Sequence, residues 1–454
     1  MVKLNDQTRE DYMNQIIHAA VQDDIDQFRE LFLELHPADQ TDVFLSLGEE
    51  DRRRVYAFLS PEEFAEIFEG LDVEEQKEIA VELNKQYAAE VFNNMYADDV
   101  ADFLGELENE NVTDILHAMD DEDARDVREL LTYEEETAGA IMTKEFVSIK
   151  AANTVSEVIE LLREEGPDAE TIYYLYVTDV HGKLVGVTSI RDLITSTSEK
   201  TIESIMSNRV VAVNIHTDQE EVAQLIQKYD FLAAPVVTDD NMLVGIVTVD
   251  DALDVLEEEA TEDFGELTAS RGSTDISVNS FKAAKIRAPW IVLLMFLGLG
   301  TAEVIGRFEA TLESVVLLAA FIPLIMGSAG NTGTQSLAVS VRALATGNLE
   351  KRGLWKTITR EFFTGFFIGI MSGIVIAVLL AVIYQNIMLG LIVGMSILLS
   401  LGTASVIGTI IPLAIDKMKM DPAIASGPFI TTLCDIISLL IYFTVATSFI
   451  PYVQ

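Results

Sequence analysis

The sequence predicts a multidomain protein: an all-α superhelical N-terminal domain, an α/β domain built from two copies of one unit, a connecting helix, and a five-helix α transmembrane domain. Three observations carry that prediction. Residues 1 to 280 hold 66 of the 74 acids and 19 of the 30 bases, net −47, whereas residues 281 to 454 hold 8 acids and 11 bases, net +3. The first part opens with a repeat of period 24 and then changes to a duplicated strand-rich pattern. The last part is mostly long uncharged apolar runs. A shift of that size separates regions that meet different solvents.

The repeat fills residues 1 to 138. TDVF at 41, AEIF at 65, AEVF at 89 and TDIL at 113 are spaced by 24, and weaker copies (RRVY at 53, KEIA at 77, ADFL at 101, RDVR at 125) fall halfway between. Such spacing predicts short helices that each bury one apolar stripe against their neighbours in a superhelical array. On periodicity alone the array is a scaffold.

Residues 139 to 255 hold two strand, turn, strand, helix copies. TIYYLYVTDVHGKLVGVTSIRDL and FLAAPVVTDDNMLVGIVTVDDAL place Gly186 and Gly245 alike. Each copy follows a methionine-containing lead-in, IMTKEFVSI or IMSNRVVAV, and an amphipathic helix, TVSEVIELLREE or DQEEVAQLIQKY. The pair resembles tandem CBS domains, a regulatory module that often dimerises and often binds adenine nucleotides. Arg191 and Asp192 of SIRDL match positions associated with nucleotide contact in such modules, which makes ATP a ligand the resemblance allows; a surface ion pair is the other reading. VDDALDVLEEEATEDFGELTAS then predicts a carboxylate-dense helix, so that residues 256 to 280 connect the module to the membrane as a helix and linker.

Residues 281 to 454 predict five crossings. Phe362 to Ile415 carries no charge and is long enough for two spans of about 20 residues each, with a turn between Tyr384 and Gly390. Ser314 to Val341 supplies another, a run from Ala288 the first, and Ala423 to Val453, charged only at Asp435, the last. Lys and Arg concentrate before the first crossing, between the second and third, and between the fourth and fifth. By the positive-inside rule the N-terminal part is cytoplasmic and the C-terminus extracellular in a multi-pass protein of the cell membrane.

The totals also exclude function classes. A soluble part this acidic opposes nucleic-acid binding, which draws on clustered Lys and Arg. Cys434 is the only cysteine and the five histidines show no metal-ligand spacing, so neither a disulfide nor a zinc site is expected. No signal peptide is read in the first thirty residues.

Asp435 lies about midway along the fifth crossing, where an ionised carboxylate is costly unless it faces water or a partner. Thr431 or Thr432, Pro428, Ala425 or Ile424, and Asp421 follow from it at helical spacing toward the cytoplasm. In the second crossing, PLIMGSAGNTGTQS sets Pro323, Gly327, Gly330 and Gly333 beside Asn331, Thr332 and Gln335. Those glycines and the proline are expected to loosen the helix and expose carbonyls as a lining for a hydrated cation. Close helix packing is the alternative.

PLIMGSAGNTGTQS, the segment DPAIASGP…LCDIISLLIY, the acidic helical repeat and the CBS pair together resemble the MgtE family of magnesium channels. The resemblance implies a homodimer in the lipid bilayer, with a pore on its two-fold axis lined by the second and fifth crossings, and a membrane aspartate matching Asp435. It implies Mg2+ as both substrate and regulator, the ion closing the pore when bound between cytoplasmic domains. The metal residues carried over are Asp435 in the membrane, which Asp421 by helical spacing and Asn331 by its amide oxygen join as candidates; Asp98, Asp102 and the Gly139 carbonyl in the N-terminal domain; Glu220, Asp230, Asp250, Asp251 and Asp254 in the CBS pair; and Glu259, Glu262 and Asp263 on the connecting helix. A different helix register selects Asp99, and ordinary surface exposure is the alternative for most single acids.

The expected function is therefore Mg2+ uptake by a channel, not an enzyme. A gradient-coupled exchanger of another divalent cation, a CBS-regulated membrane enzyme and a non-conducting receptor are the rivals. No nucleophile or His-metal motif favours the enzyme.

Overall fold

A computed structural model describes residues 9–107, 109–270, 279–345, 353–418 and 425–449. The chain forms two compact units, Met1–Leu256 and Glu257–Gln454.

The first unit begins with ten helices: α1 (Arg9–Val21), α2 (Ile25–Phe32), α3 (Pro37–Leu45), α4 (Glu49–Phe58), α5 (Pro61–Glu69), α6 (Val73–Glu82), α7 (Lys85–Phe92), α8 (Ala97–Gly105), α9 (Asn109–Ala118) and α10 (Asp123–Leu130). The strong repeats become α3, α5, α7 and α9, which start at 37, 61, 85 and 109. Pro37 and Pro61 occupy first positions, where a missing N–H costs nothing, and Ser60 with Glu63 closes a capping box on α5. Rings of α3, α5, α7 and the intervening α8 meet in a buried run: Phe44 against Phe64, Phe64 against Phe68, and Phe68 against both Phe92 and Phe103. Truncating any one of these fully buried rings to alanine costs about 3–5 kcal/mol. The pattern is thus an array held by its own aromatic spine.

Two three-stranded sheets follow. β1 (Phe146–Lys150), α11 (Val155–Glu164), β2 (Thr171–Thr178), β3 (Leu184–Ser189) and α12 (Ile190–Thr195) form the first copy; β4 (Val213–Asn214), α13 (Gln219–Tyr229), β5 (Ala233–Val237), β6 (Leu243–Thr248) and α14 (Val249–Leu267) form the second. In each, a parallel pair joined through a helix is followed by an antiparallel pair, in the order β1-β2-β3 and β4-β5-β6. The methionine lead-ins exchange partners. Thr143 pairs with Ile246 and Ser207 with Val187, so each lead-in joins the sheet of the other copy. Gly245 and Gly186 make room for this: a Cβ on either would lie 2.6 Å from the sulfur of Met142 or Met206 respectively. α14 continues without a break from β6 through the carboxylate-dense segment.

Five helices of the second unit are long and apolar enough to cross a membrane. They are the first crossing Ser280–Arg307, the second Ile322–Ala345 with a 3-10 lead-in from Val316, the third Leu354–Ile383, the fourth Ile387–Lys417 and the fifth Gly427–Phe449. The third and fourth meet along glycines: a Cβ on Gly373 would lie 2.6 Å from the Gly394 carbonyl oxygen. With no side chains between them the backbones close up, which is how apolar helices gain contact in lipid.

Candidate functional site

In the membrane unit the second and fifth crossings form the polar seam. The second is an unbroken helix through Gly327, Gly330 and Gly333, and Pro323 stands at its second position. The expectation of a loosened helix with exposed carbonyls is therefore corrected. Neighbouring atoms fill the spaces that Gly330 and Gly333 leave, whereas Gly327 faces open space, and the helix runs on through all three. A Cβ on Gly330 would lie 2.7 Å from Thr431 Cγ2, one on Gly333 2.7 Å from Cys434 Sγ, and one on Gly408 would collide with the Gly333 carbonyl.

That close approach puts Asp435 beside Gly330, whose Cβ position is 3.5 Å from Asp435 Oδ1. Oδ1 is buried and has no hydrogen-bond partner among the described residues. Thr334 and Thr431 face each other with hydroxyl oxygens 3.1 Å apart, Thr431 one turn before the acid and Thr334 one turn after Gly330. Asn331 and Gln335 are exposed on the second crossing, in line with Gly327 and Ala338. Two exposed amides on a membrane-spanning helix call for water or a second protein surface. Cys434 is buried among Ala329, Leu337 and Ile430, a packing position. Pro428 and Thr432 lie on the fifth helix with Thr431, whereas Ala425 precedes its first turn; Ile424 and Asp421 lie outside the described residues. Leu267, the last residue of α14, packs with Ala425 and Phe429, and its carbonyl oxygen is 3.1 Å from the Cβ position of Gly427.

The first unit gathers acids where α8 meets the two CBS copies. Asp98 is 6% exposed, and its Oδ1 and the Oε2 of Glu170 are buried without hydrogen-bond partners among the described residues. Burial, then the charges of Asp99, Asp251, Glu170 and Glu145, hold the Asp98 carboxyl well above its usual range. Burial with Asp251 and Asp250 pushes Asp99 up to about 7, burial with Asp251 raises Glu170 to about 8, and burial with Asp99 raises Glu69 to about 8. Asp251 is raised too, by burial against the opposing bond from Thr248, and Asp254 adds its charge to Asp99 and Asp251. Glu145 binds α8 to the first lead-in, its carboxylate accepting from Ala97 N at 3.2 Å and Thr143 Oγ1 at 2.9 Å. The sequence marks Asp99 only as the alternative helix register and does not mark Glu69, Glu145 or Glu170, because one acid among many carries no local signature.

The remaining acids are distributed. Asp102 and Asp250 are exposed. Gly139 lies beside the N-terminus of α13: its N donates to the Ile215 carbonyl at 3.0 Å, Thr137 pairs with Asp218, and Glu220 follows two residues on. Asp230 is the left-handed cap of α13, φ 54°, and is exposed. Glu259, Glu262 and Asp263 lie on the later turns of α14. Among the described residues no three His, Cys, Asp or Glu side chains stand close enough to form a preassembled metal cage. The clustered oxygens suit an ion that keeps its water shell, as Mg2+ does, and the orphaned Asp98 and Glu170 oxygens suit a cation rather than one another.

Asp192 turns its carboxylate to Ser189, whose Oγ donates to it at 2.6 Å, so it caps α12 rather than pairing with Arg191. Arg191 is exposed. Tyr174, paired with Ser189 across the sheet, has its ring centroid 6.4 Å from that of Phe231. The two rings meet edge to face, and Phe231 is stacked on Tyr229, an aromatic group that the sequence did not reveal.

Five membrane-spanning helices, a polar seam holding one intramembrane acid, and acidic CBS-containing domains define an integral membrane transport protein rather than an enzyme. The divalent cation transporter model of MgtE matches residues 322–445, the MgtE intracellular N domain matches 35–136, and the CBS domain matches 138–199 and 202–258. The magnesium transporter MgtE of Enterococcus faecalis is 44% identical over 326 residues, 72% of each chain. That of Bacillus subtilis is 43% identical over 324 residues, covering 71% of this chain and 72% of its own. That of Thermus thermophilus is 39% identical over 326 residues, covering 70% of this chain and 71% of its own. The chain belongs to the MgtE family. Among solved structures, the soluble part of a magnesium transporter is 43% identical with a TM-score of 0.54, covering 56% of this chain and 99% of that one. The cytosolic domain of the Mg2+ channel MgtE in complex with ATP is 39% identical with a TM-score of 0.52, covering 54% and 99%.

Proposed function

We propose that this chain is a Mg2+ channel of the cell membrane that works as a homodimer, takes Mg2+ inward, and is closed by Mg2+ on its cytosolic domains. The observation that carries the reading is the orphaned Asp435 Oδ1 beside Gly330, on helices whose exposed Asn331 and Gln335 face needs water or a second copy. Two such seams across a two-fold axis give a polar path with a pair of carboxylates, which attract Mg2+ through its hydration shell without stripping it. Asn331 belongs to this path, and Asp421 is a further candidate ligand for the ion. The acidic part lies in the cytosol and the C-terminus outside, in keeping with the flanking bases.

Closure follows from repulsion. Without a cation, Asp98, Asp99, Asp251, Glu170 and Glu69 crowd like charges into a poorly hydrated space, and the state that separates them gains. Mg2+ neutralises the crowd and favours the compact state, a population shift set by its differential affinity. Gly139 with Glu220 and Asp230, and Asp102, Asp250, Asp254, Glu259, Glu262 and Asp263, supply further oxygens. α14 carries the change, since its last residue packs at Ala425 and Gly427, where the fifth crossing begins. ATP binds beside Arg191 and Asp192 of the first CBS copy, with Tyr174 of that copy and Phe231 of the second offering aromatic contact. The four parts divide at about residues 138, 255 and 280.

Asp435→Asn protein in liposomes tests the pathway: Mg2+ influx is expected to vanish, and influx at the unsubstituted rate would sink the reading. Protease cleavage of the cytosolic part across a Mg2+ titration tests closure; it is expected to slow as Mg2+ rises.

A further inference from the structure

Among the described residues of the membrane-spanning helices, Glu361 is a buried carboxyl group that the pathway does not use. Glu361 lies in the second turn of the third crossing, a helix whose surface is largely exposed, yet only 4% of Glu361 is exposed. Ser336 Oγ on the second crossing donates to Glu361 Oε2 at 3.3 Å. Ser405 Oγ on the fourth donates to the Glu361 main-chain oxygen at 2.6 Å and stands 2.9 Å from Ser336 Oγ. Ser405 has one proton and directs it to that carbonyl, so the proton of Ser336 is shared between Ser405 Oγ and the carboxyl group. Arg360 Nε stands 3.7 Å from Oε1 at the exposed rim. Ser336, Ser405 and Ser340 are all buried.

The backbone is shaped to permit this cluster. A Cβ on Gly365, one turn beyond Glu361, would lie 2.5 Å from Ser405 Cβ and 2.9 Å from the Leu401 carbonyl oxygen. Only glycine there lets the fourth crossing slide Ser405 under Glu361. The second and third crossings otherwise touch little, both packing mainly on the fourth. Ser336 is five residues past Asn331, about 140° round the helix, so the cluster grips the back of the helix whose front presents Asn331 and Gln335. Apolar packing tolerates small rotations of a helix, whereas a buried hydrogen-bonded set specifies one angle.

We infer that Glu361 is a positioning residue for ion passage: through Ser336 and Ser405 it sets the rotation of the second crossing and hence where Asn331 and Gly330 stand relative to Asp435. This rests on the reading that the second and fifth crossings line the path.

The test is Mg2+ influx and the Mg2+:Co2+ flux ratio of full-length protein in liposomes, for Glu361→Ala, Glu361→Gln, Ser336→Ala and the double Glu361→Ala/Ser336→Ala, with Asp435→Asn alongside. Glu361→Ala and Ser336→Ala are each expected to lower Mg2+ influx about tenfold and to shift the ratio several-fold, with the double no worse than Glu361→Ala, as for partners in one network. Glu361→Gln keeps an acceptor oxygen and is expected to restore most of both. Ser336→Ala removes a single hydroxyl and keeps the test open should Glu361→Ala not assemble. Unaltered influx and ratio in Ser336→Ala overturns the inference, as do additive losses, a fall in influx with an unaltered ratio, or Glu361→Gln as impaired as Glu361→Ala. Should Asp435→Asn conduct normally, the pathway reading fails instead.

Discussion

Gly330 on the second crossing and Asp435 on the fifth are set against each other so closely that a methyl group at 330 would come within 3.5 Å of the aspartate oxygen and 2.7 Å of Thr431 Cγ2. The absence of a side chain is what allows an acid to stand at the helix seam. Gly330→Ala is expected to push the two crossings apart at a cost of about 1–3 kcal/mol and to cut Mg2+ influx. Thermal unfolding in detergent together with liposome flux checks both, and an unchanged flux would contradict the arrangement.

The raised carboxyl groups of the first unit give a pH prediction with a definite sign. Asp99 goes from 3.8 to about 7, and Glu69 and Glu170 from 4.5 to about 8, so between roughly pH 4 and 8 the folded state holds more protons than the unfolded chain. Stability in low Mg2+ is therefore expected to be full below pH 4 to 5 as far as these groups are concerned, and to fall as pH rises to 8, by on the order of a few kcal/mol. Mg2+ is expected to restore it at pH 8 and to add little at pH 5. Unfolding midpoints of the full chain in detergent, at both pH values with and without Mg2+, decide it; a profile that rises with pH would be the wrong sign.

Glu145→Gln weakens the charge on the cap of α8 without emptying its place. More Mg2+ is then expected to be needed for the same protease protection, because α8 carries Asp98 and Asp99. An unshifted titration would show that the cap does not hold the sensor.

Tyr174→Ala and Phe231→Ala are expected to weaken ATP binding by removing the aromatic contacts, about 1–3 kcal/mol per ring, while leaving Mg2+ protection without ATP intact. Asp192→Ala is expected to cost about 1 kcal/mol of stability as well, through its cap on α12. Calorimetric titration with ATP reads the first effect and thermal unfolding the second.

Much of the molecule was legible from spacing. The period of 24 placed the strong helices, the aligned Gly186 and Gly245 placed the duplicated sheets, and uncharged runs marked five spans, because these features depend on neighbours in the chain. What escaped depends on neighbours in space. The glycines of the second crossing read as breakers until the packing of Thr431 and Cys434 against them was seen. Asp98 was expected and lies in the acid cluster, but Glu69 and Glu170 join it from distant segments. Glu361, next to Arg360 at the start of a crossing, has nothing in its local sequence that marks its burial.

The exchange of lead-ins, with Met142 seated on Gly245 and Met206 on Gly186, makes the two halves of the CBS pair a clasp. Neither half can be cut out as a finished piece, since each leaves an uncovered glycine on the sheet that loses its methionine. Strain applied to one half is therefore inherited by the other, and a duplication that began as two equal units now behaves as a single mechanical part.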